Sequence, residues 1–289
     1  MPDLSIESSR TAHTAMPRSI VVRKIRFVSH PVTGTRIRRT FKQPRSCLAV
    51  EQHIEMADLL RQSDSADAKD SLFIVYVPPE AKAEWERIGS DWLDSQGESE
   101  APEPVTISVS GDRIEWRPGR AVVEGKLGLR DEVVNGLTEF AFYEGEMRSL
   151  EQSIESCEEQ ARIDAPKTYC IRAKDRSNWQ RFGRIMESLA QFRFTFAALE
   201  PRIERGSRTL TKPSRAIATR LFHAAATSSR MEGLDGRLEV CEELYEGAID
   251  RIADYRGWHT GHILEVIIIV ILLLEAGFMA TELILRAFE

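Results

Sequence analysis

Gly261-His-Ile-Leu-Glu-Val-Ile-Ile-Ile-Val-Ile-Leu-Leu-Leu-Glu-Ala-Gly-Phe-Met-Ala-Thr-Glu-Leu-Ile-Leu-Arg286 is the densest apolar stretch of the chain. Val266 to Leu285 covers 20 residues. At ~1.5 Å per residue a helix of that length spans ~30 Å, about one bilayer core. Glu275 and Glu282 interrupt it, and Glu265 stands at its entrance. The aliphatic and Phe residues favour insertion by about 4 to 8 kcal/mol in sum, and each ionised acid opposes it by about 2.5 to 3.5 kcal/mol. The balance is near break-even. Ile268, Leu272, Glu275, Met279, Glu282 and Arg286 follow steps of three and four from Glu265, so they share one face. Glu282 and Arg286 stand i,i+4 in the favourable order. A polar face on an apolar helix points at protein. The stretch therefore reads as a helix that packs on a copy of itself or a partner, in or at a membrane. The competing reading is the core helix of a soluble bundle.

Upstream of this stretch the chain is polar and charged. The 289 residues suit one or two domains plus the tail, and 29% charged against 42% hydrophobic residues is ordinary for a folded protein. The net charge of −6 is uneven. Residues 1–46 hold ten Lys/Arg against Asp3 and Glu7, a net of +8, which leaves −14 for the rest. That asymmetry points to an anionic partner for the N-terminal part, met by Arg23, Lys24, Arg26, Arg36, Arg38, Arg39 and Lys42. RNA, a ribosome or lipid headgroups fit that chemistry; a solvated charged arm is the plainer alternative, and no RNA-module aromatic pattern accompanies it. Cys47, Cys157, Cys170 and Cys241 lie far apart with no CxxC, so free thiols in a reducing compartment are expected. No apolar leader opens the chain. Arg251 and Arg256 precede the apolar run and only Arg286 follows it, which favours a cytoplasmic soluble part with a C-terminal anchor.

The fold class expected is α+β, a small mixed β-containing N-terminal region followed by a long helical bundle or hairpin that ends in the apolar helix. Residues 1–17 lack apolar periodicity and read as disordered. Residues 18–125 read as a basic hairpin and a mixed β/α region. Within it, 19–41 gives two β-branched, basic strands around Pro31 and Gly34, and 50–62 a short helix. Residues 64–70 read as a polar connection. Leu72-Phe-Ile-Val-Tyr-Val77 reads as a buried strand, 80–94 as a helix carrying Trp85 and Trp92, and 95–104 as a loop. Residues 105–124 read as two more strands, turning at Ser110-Gly-Asp112, with Ala121-Val-Val123 following Pro118-Gly119.

Residues 126–258 read as a helical domain and 259–289 as the membrane helix. Val133, Leu137, Phe140, Met147, Leu150, Ile154 and Cys157 define a long helix with Glu144 on its apolar face. Glu139, Glu146, Glu151, Glu155, Glu158 and Glu159 are expected on its solvated side, and Pro166 at its end. A second helix runs from Trp179 to Pro201 and a third opens at Pro213. A break at Gly233-Leu-Asp-Gly236 precedes the last arm.

No P-loop, GxGxxG, GxSxG or HExxH is present, so no catalytic residue and no cofactor is indicated. His259, His262 and Glu265 are spaced for a loose metal set on one helix face, but interfacial hydrogen bonding explains them better, and no metal is assigned.

Arg230-Met-Glu-Gly-Leu-Asp-Gly-Arg-Leu-Glu-Val-Cys-Glu-Glu-Leu244, then Leu264-Glu265, the aliphatic run and Glu275, resemble the C-terminal pattern of the required-for-meiotic-nuclear-division family, also called YagE-like. The carriers are Arg230, Leu234, Asp235, Arg237, Leu238, Leu264, Glu265 and Glu275. Asp235 stands where the family usually has Asn, and Val266 where it has Trp. Gly128-Leu-Arg-Asp-Glu-Val-Val-Asn-Gly-Leu-Thr-Glu-Phe-Ala-Phe-Tyr-Glu144 is similar more loosely, so the resemblance covers about residues 100–289. It implies membrane association through the C-terminal helix and self-association into a homo-oligomer. Eukaryotic relatives support mitochondrial translation at the inner membrane. The resulting expectation is a non-enzymatic, membrane-anchored scaffold or tether. The alternatives are a soluble helical oligomer with the tail as core helix, or an enzyme with an unrecognised site where the β region meets the helices.

Overall fold

A computed structural model of the protein describes residues 20–61, 70–94, 103–126, 128–169 and 178–287. Side chains of the last helix are described as far as Met279, His259 excepted. The expected disorder at 1–17 and nearly all of the two connections at 64–70 and 95–104 lie outside the described residues. The fold is α+β. Seven strands form one sheet: β1 (Val21–Val28), β2 (Arg36–Phe41), β3 (Cys47–His53), β4 (Ser71–Val77), β5 (Val105–Val109), β6 (Asp112–Arg117) and β7 (Arg120–Glu124). The helices are α1 (Met56–Arg61), α2 (Lys82–Asp94), α3 (Asp131–Tyr169), α4 (Trp179–Arg205), α5 (Lys212–Ala224) and α6 (Thr227–Ala287).

The chain divides into two compact units. The sheet unit comprises Met1–Ser149 with Thr195–Glu232. Its strand order is β2-β3-β1-β4-β7-β6-β5, antiparallel throughout except for the parallel pair β4/β7. β4 is buried along its whole length, as a strand covered on both faces must be, and its unbroken apolar sequence follows from that. Phe73, Val75 and Val77 face Trp85 and Trp92 of α2. On the other face Phe41 stacks on Phe142 of α3 at 3.9 Å between centroids, and Trp116 meets Phe140 edge-on at 4.7 Å. Gly136 lets α5 cross α3 closely: a Cβ there would lie 2.8 Å from the Ser214 carbonyl and 2.9 Å from Ile217. The Tyr76 hydroxyl donates to the Gly125 carbonyl and accepts from the Gly128 amide at 2.9 Å, which ties the strand-to-helix connection to β4.

Three local expectations are corrected. The hairpin at 19–41 does not form, because β3 inserts between β1 and β2 and pairs with both. The short helix at 50–62 is really the end of β3 followed by the six residues of α1. The break at Gly233–Gly236 is absent: α6 runs 61 residues through both glycines. Met231, Leu234, Leu238 and Cys241 are all buried and carry the helix across, outweighing about 1 kcal/mol of glycine propensity at each site. The chain breaks instead at Ala225–Ala226, where Ala226 takes φ +49°. Pro166 and Pro201 also sit inside their helices. Buried Thr168 beyond the first and buried Ile203 beyond the second hold the extra turns. Gly206 at φ +64° then closes α4 in a left-handed cap, its amide donating to Arg202 O at 3.1 Å.

The helical unit comprises Leu150–Phe194 with Gly233–Glu289. Its core is Ile154 and Ala161 from α3, Phe182 and Leu189 from α4, and Leu234, Leu238, Cys241, Tyr245, Ala248 and Ile252 from α6. The α6 residues alternate steps of three and four, the seam of a coiled-coil-like bundle. Contacts at Glu158–Arg237, Asp164–Tyr245 and Thr168–Arg251 rise together in number, so α3 and α6 run parallel. Arg193–Asp235 and Trp179–Arg256 run in opposite order, so α4 is antiparallel to α6.

Candidate functional site on the last helix

α6 is one continuous helix with two environments. Its first part is a packed stem that carries most of the family-like motif. In the sheet unit, Arg230 Nη1 donates to Glu144 Oε1 at 2.8 Å, and Arg148 Nε reaches the same oxygen at 2.9 Å. Glu144 is fully buried, which explains an acid on the apolar face of α3: two guanidiniums neutralise it there. Leu234 and Leu238 are buried.

In the helical unit Arg193 bonds Asp235 and grips both oxygens of Glu242 at 2.8–3.0 Å. Arg237 donates twice to Glu158 Oε2, at 2.6 and 2.9 Å; these bonds, followed by Arg162, hold the Glu158 carboxyl below its ordinary pKa. Deeper in the bundle Asp164 is fully buried. It accepts from Arg181, from Gln160 at 3.2 Å and from Tyr245 at 3.2 Å. Burial alone would raise its pKa, but these donors outweigh it and hold the carboxyl low. Burial, and then the charge on Asp164, pushes the Tyr245 phenol up. The motif residues in the stem of α6 thus fasten it to α3 and α4, through Arg230, Asp235 and Arg237 and the buried Leu234 and Leu238.

The packed stem ends where Arg256 lies 5.1 Å over the Trp179 ring. Beyond it the environment changes. Trp258 is 71% exposed and stacks on His262 at 5.7 Å. His262 Nδ1 stands 3.6 Å from Glu265. From Gly261 to Met279 every residue is exposed. Leu264, Glu265, Ile268, Leu272, Glu275 and Met279 are therefore all uncovered by this chain, on a helix long and apolar enough to cross a membrane. Glu282 and Arg286 belong to the same helix, but their side chains lie outside the described residues, as does that of His259. Among the described residues no three His, Cys, Asp or Glu side chains gather as a metal site.

The basic patch is brought together on the β2 side of the sheet, but much of it is consumed internally. Arg23 and Arg38 grip Glu51 at 2.7 and 2.5 Å, and Arg38 also reaches Asp131 at 2.8 Å. Arg36 lies 3.7 Å from Asp131. The hydrogen bond from Arg38 is the main cause of the lowered Asp131 pKa. Arg39 pairs with Glu139, which is fully buried rather than on the solvated side expected of it. Burial there outweighs Arg39 and raises the Glu139 carboxyl. Lys24 is buried, 4.9 Å over the Phe73 ring. Lys42 is exposed and Arg26 half-buried.

No known family matches the chain, and no curated protein matches it either. Among solved structures, the full-length CmaX protein aligns over 88% of this chain and 84% of that one, with 12% identity and a TM-score of 0.33. A superposition that loose carries no argument about fold or activity.

Proposed function

We propose that the protein is a non-enzymatic tether, held on a membrane by the exposed part of α6 and self-associating through it, with both compact units on the cytoplasmic side. The observation that carries this reading is the uninterrupted exposure of Gly261–Met279 on a helix whose preceding turns are well packed. Apolar surface on all sides of a helix needs lipid or protein around it. The near-even insertion balance gives the same helix a reason to seek a copy of itself, with Glu275 turned to the shared side. Trp258 at the junction suits a membrane–water boundary, where indole rings concentrate. Most of the basic patch is neutralised by Glu51, Asp131 and Glu139, so we place the membrane contact in α6 and leave an anionic partner only the exposed remainder, chiefly Lys42.

The resemblance of Arg230–Leu244 to the YagE-like family points the same way. The test is partitioning of the full-length protein into membranes, followed by high-salt and alkaline washes. Retention through both washes supports the anchor. Release by salt alone overturns it in favour of a soluble oligomer with α6 as its core.

A further inference from the structure

Two long stretches of the chain hold no Asp or Glu: residues 8–50, with ten Lys/Arg, and residues 205–231, with six. In a chain that carries 45 acids, these gaps gather positive charge in two places. Both belong to the sheet unit, which joins them. Arg39 on β2 donates to the Thr209 hydroxyl at 2.9 Å, across 170 positions of sequence. Thr209 lies in the connection from α4 to α5. Arg215 fixes that connection by donating to the Ser207 carbonyl at 3.1 Å and to the Arg208 and Leu210 carbonyls at 3.3 Å. Arg39 itself is neutralised by Glu139. Lys42, Arg205, Arg208 and Lys212 are not. All four are exposed, each stands within four residues of Arg39 or Thr209, and among the described residues none has an ion pair. Lys42 is therefore one of a group.

We propose that this corner, where β2 meets the α4–α5 connection, binds the phosphate backbone of RNA without regard to base sequence. Like charges gathered on one surface repel each other unless an anion lies over them. One small anion meets one or two of the four cations, whereas a run of phosphates meets them all. The exposed hydroxyls of Thr40 and Thr209 add the uncharged donors that phosphate oxygens also accept. A lipid surface fits less well. Proteins that lie on one add apolar side chains that enter the acyl boundary, but Leu210, Ile217, Leu221, Phe222 and Met231, the large apolar residues of 205–231, are all buried. Phe27 and Phe41 are buried too, so neither stretch offers a described phenyl ring for a base to stack on. The contact is therefore with phosphate alone. The choice of RNA among phosphate polymers rests on the cytoplasmic placement of the tether; the contact itself does not need a membrane.

The experiment follows the fluorescence anisotropy of a labelled oligouridine as full-length protein in a neutral detergent is added at rising salt. Four phosphate contacts give log K a slope of about −3 against log salt. Arg205→Ala with Arg208→Ala and Lys212→Ala weakens binding about a hundredfold at ~0.1 M salt and brings the slope to about −1. Arg220→Ala removes the same charge from the same acid-free stretch, but beside Ser108 of β5 at the other edge of the sheet, and leaves both unchanged. No binding at ~0.1 M salt, a slope that the triple variant keeps, or an equal loss in Arg220→Ala overturns the proposal. Clustering of phosphatidylserine vesicles, abolished in the triple variant while the oligouridine stays unbound, overturns it in favour of a lipid surface. Should the triple variant fail to fold, Lys42→Ala on the other stretch decides in its place, with an expected loss of about fivefold. Binding of the oligouridine by a protein that salt strips from membranes sustains this proposal and removes the tether alone.

Discussion

The two parts of α6 share one helix and little else. In the stem, apolar residues recur every three or four positions and are buried, from Met231 to Ile252. In the continuation, Ile263 to Leu274 is apolar at all but one position, and each residue is about half exposed. A stripe can be covered by the chain's own α3 and α4, whereas a helix apolar all round cannot. The acids differ in the same way. Glu242 in the stem is gripped by Arg193, while Glu275 in the continuation has no described cation facing it. The contrast shows that the period of the apolar residues, more than their number, tells where a helix finds its cover.

The largest expected effect attacks the continuation directly. Ile269→Arg with Ile271→Arg adds about 2.5 to 3.5 kcal/mol per cation against insertion, enough to tip a near-even balance. The protein should leave the membrane fraction altogether, while the far-UV circular dichroism of the stem and sheet stays unchanged. A variant that still pellets and resists alkaline wash would mean that the two parts of α6 do not differ as argued.

Next comes the buried charge of the stem. Arg181→Ala leaves Asp164 buried without its main cation. Breaking such a pair costs 3–5 kcal/mol, and roughly 3 is expected here because the Arg181 side chain is 37% exposed. Since the folded-state pKa of Asp164 is lowered, its contribution is full above the unfolded value of ~3.9 and is lost as pH falls through the folded one. Wild-type denaturation midpoints should therefore drop on acidification below about pH 4, and Arg181→Ala should flatten that drop. An equal acid slope in both proteins would remove Asp164 from the account.

Much of this was legible in the sequence, and what was not has a common cause. β4, α2 and the apolar face of α3 follow from local periodicity, and so does the strand character of 105–124, although two strands are expected there and three form, β5, β6 and β7. The placement of β3 between β1 and β2 does not, because strand order is set by pairing across the sheet, and the polar end Glu51-Gln-His53 reads equally well as the start of a helix. The basic strands look solvated because their partners are remote: Arg39 meets Glu139 and Arg38 meets Asp131, about a hundred residues on. One signal did point to such pairing. Glu144 interrupts a buried apolar face, and a buried acid needs a cation; Arg230 is that cation. In the same way the motif around Arg230 can be noticed in sequence, but its role as a set of fasteners needs the neighbouring helices.

A paired truncation measures the difference between the two parts of α6 in one residue type. Leu238→Ala empties a fully buried position and should lower unfolding free energy by about 2–5 kcal/mol. Leu272→Ala removes the same atoms from a 57% exposed position and should leave the denaturation midpoint of detergent-solubilised protein within about 0.5 kcal/mol. Equal losses would place Leu272 in a folded core.

The smallest effect separates a bare stem surface from a packed one. Gly233 and Gly236 lie inside α6, and a Cβ at either meets nothing within 4 Å in this chain. Alanine at each should therefore raise stem stability by up to about 1 kcal/mol through helix propensity. If another copy packs closely against these turns, the added methyls instead collide with it, and the oligomer weakens as the monomer strengthens. Chemical denaturation followed with sedimentation velocity on the same double variant reads both. A stabilised protein with unchanged sedimentation confines self-association to the exposed continuation; a stabilised protein that dissociates extends the contact between copies down onto the stem.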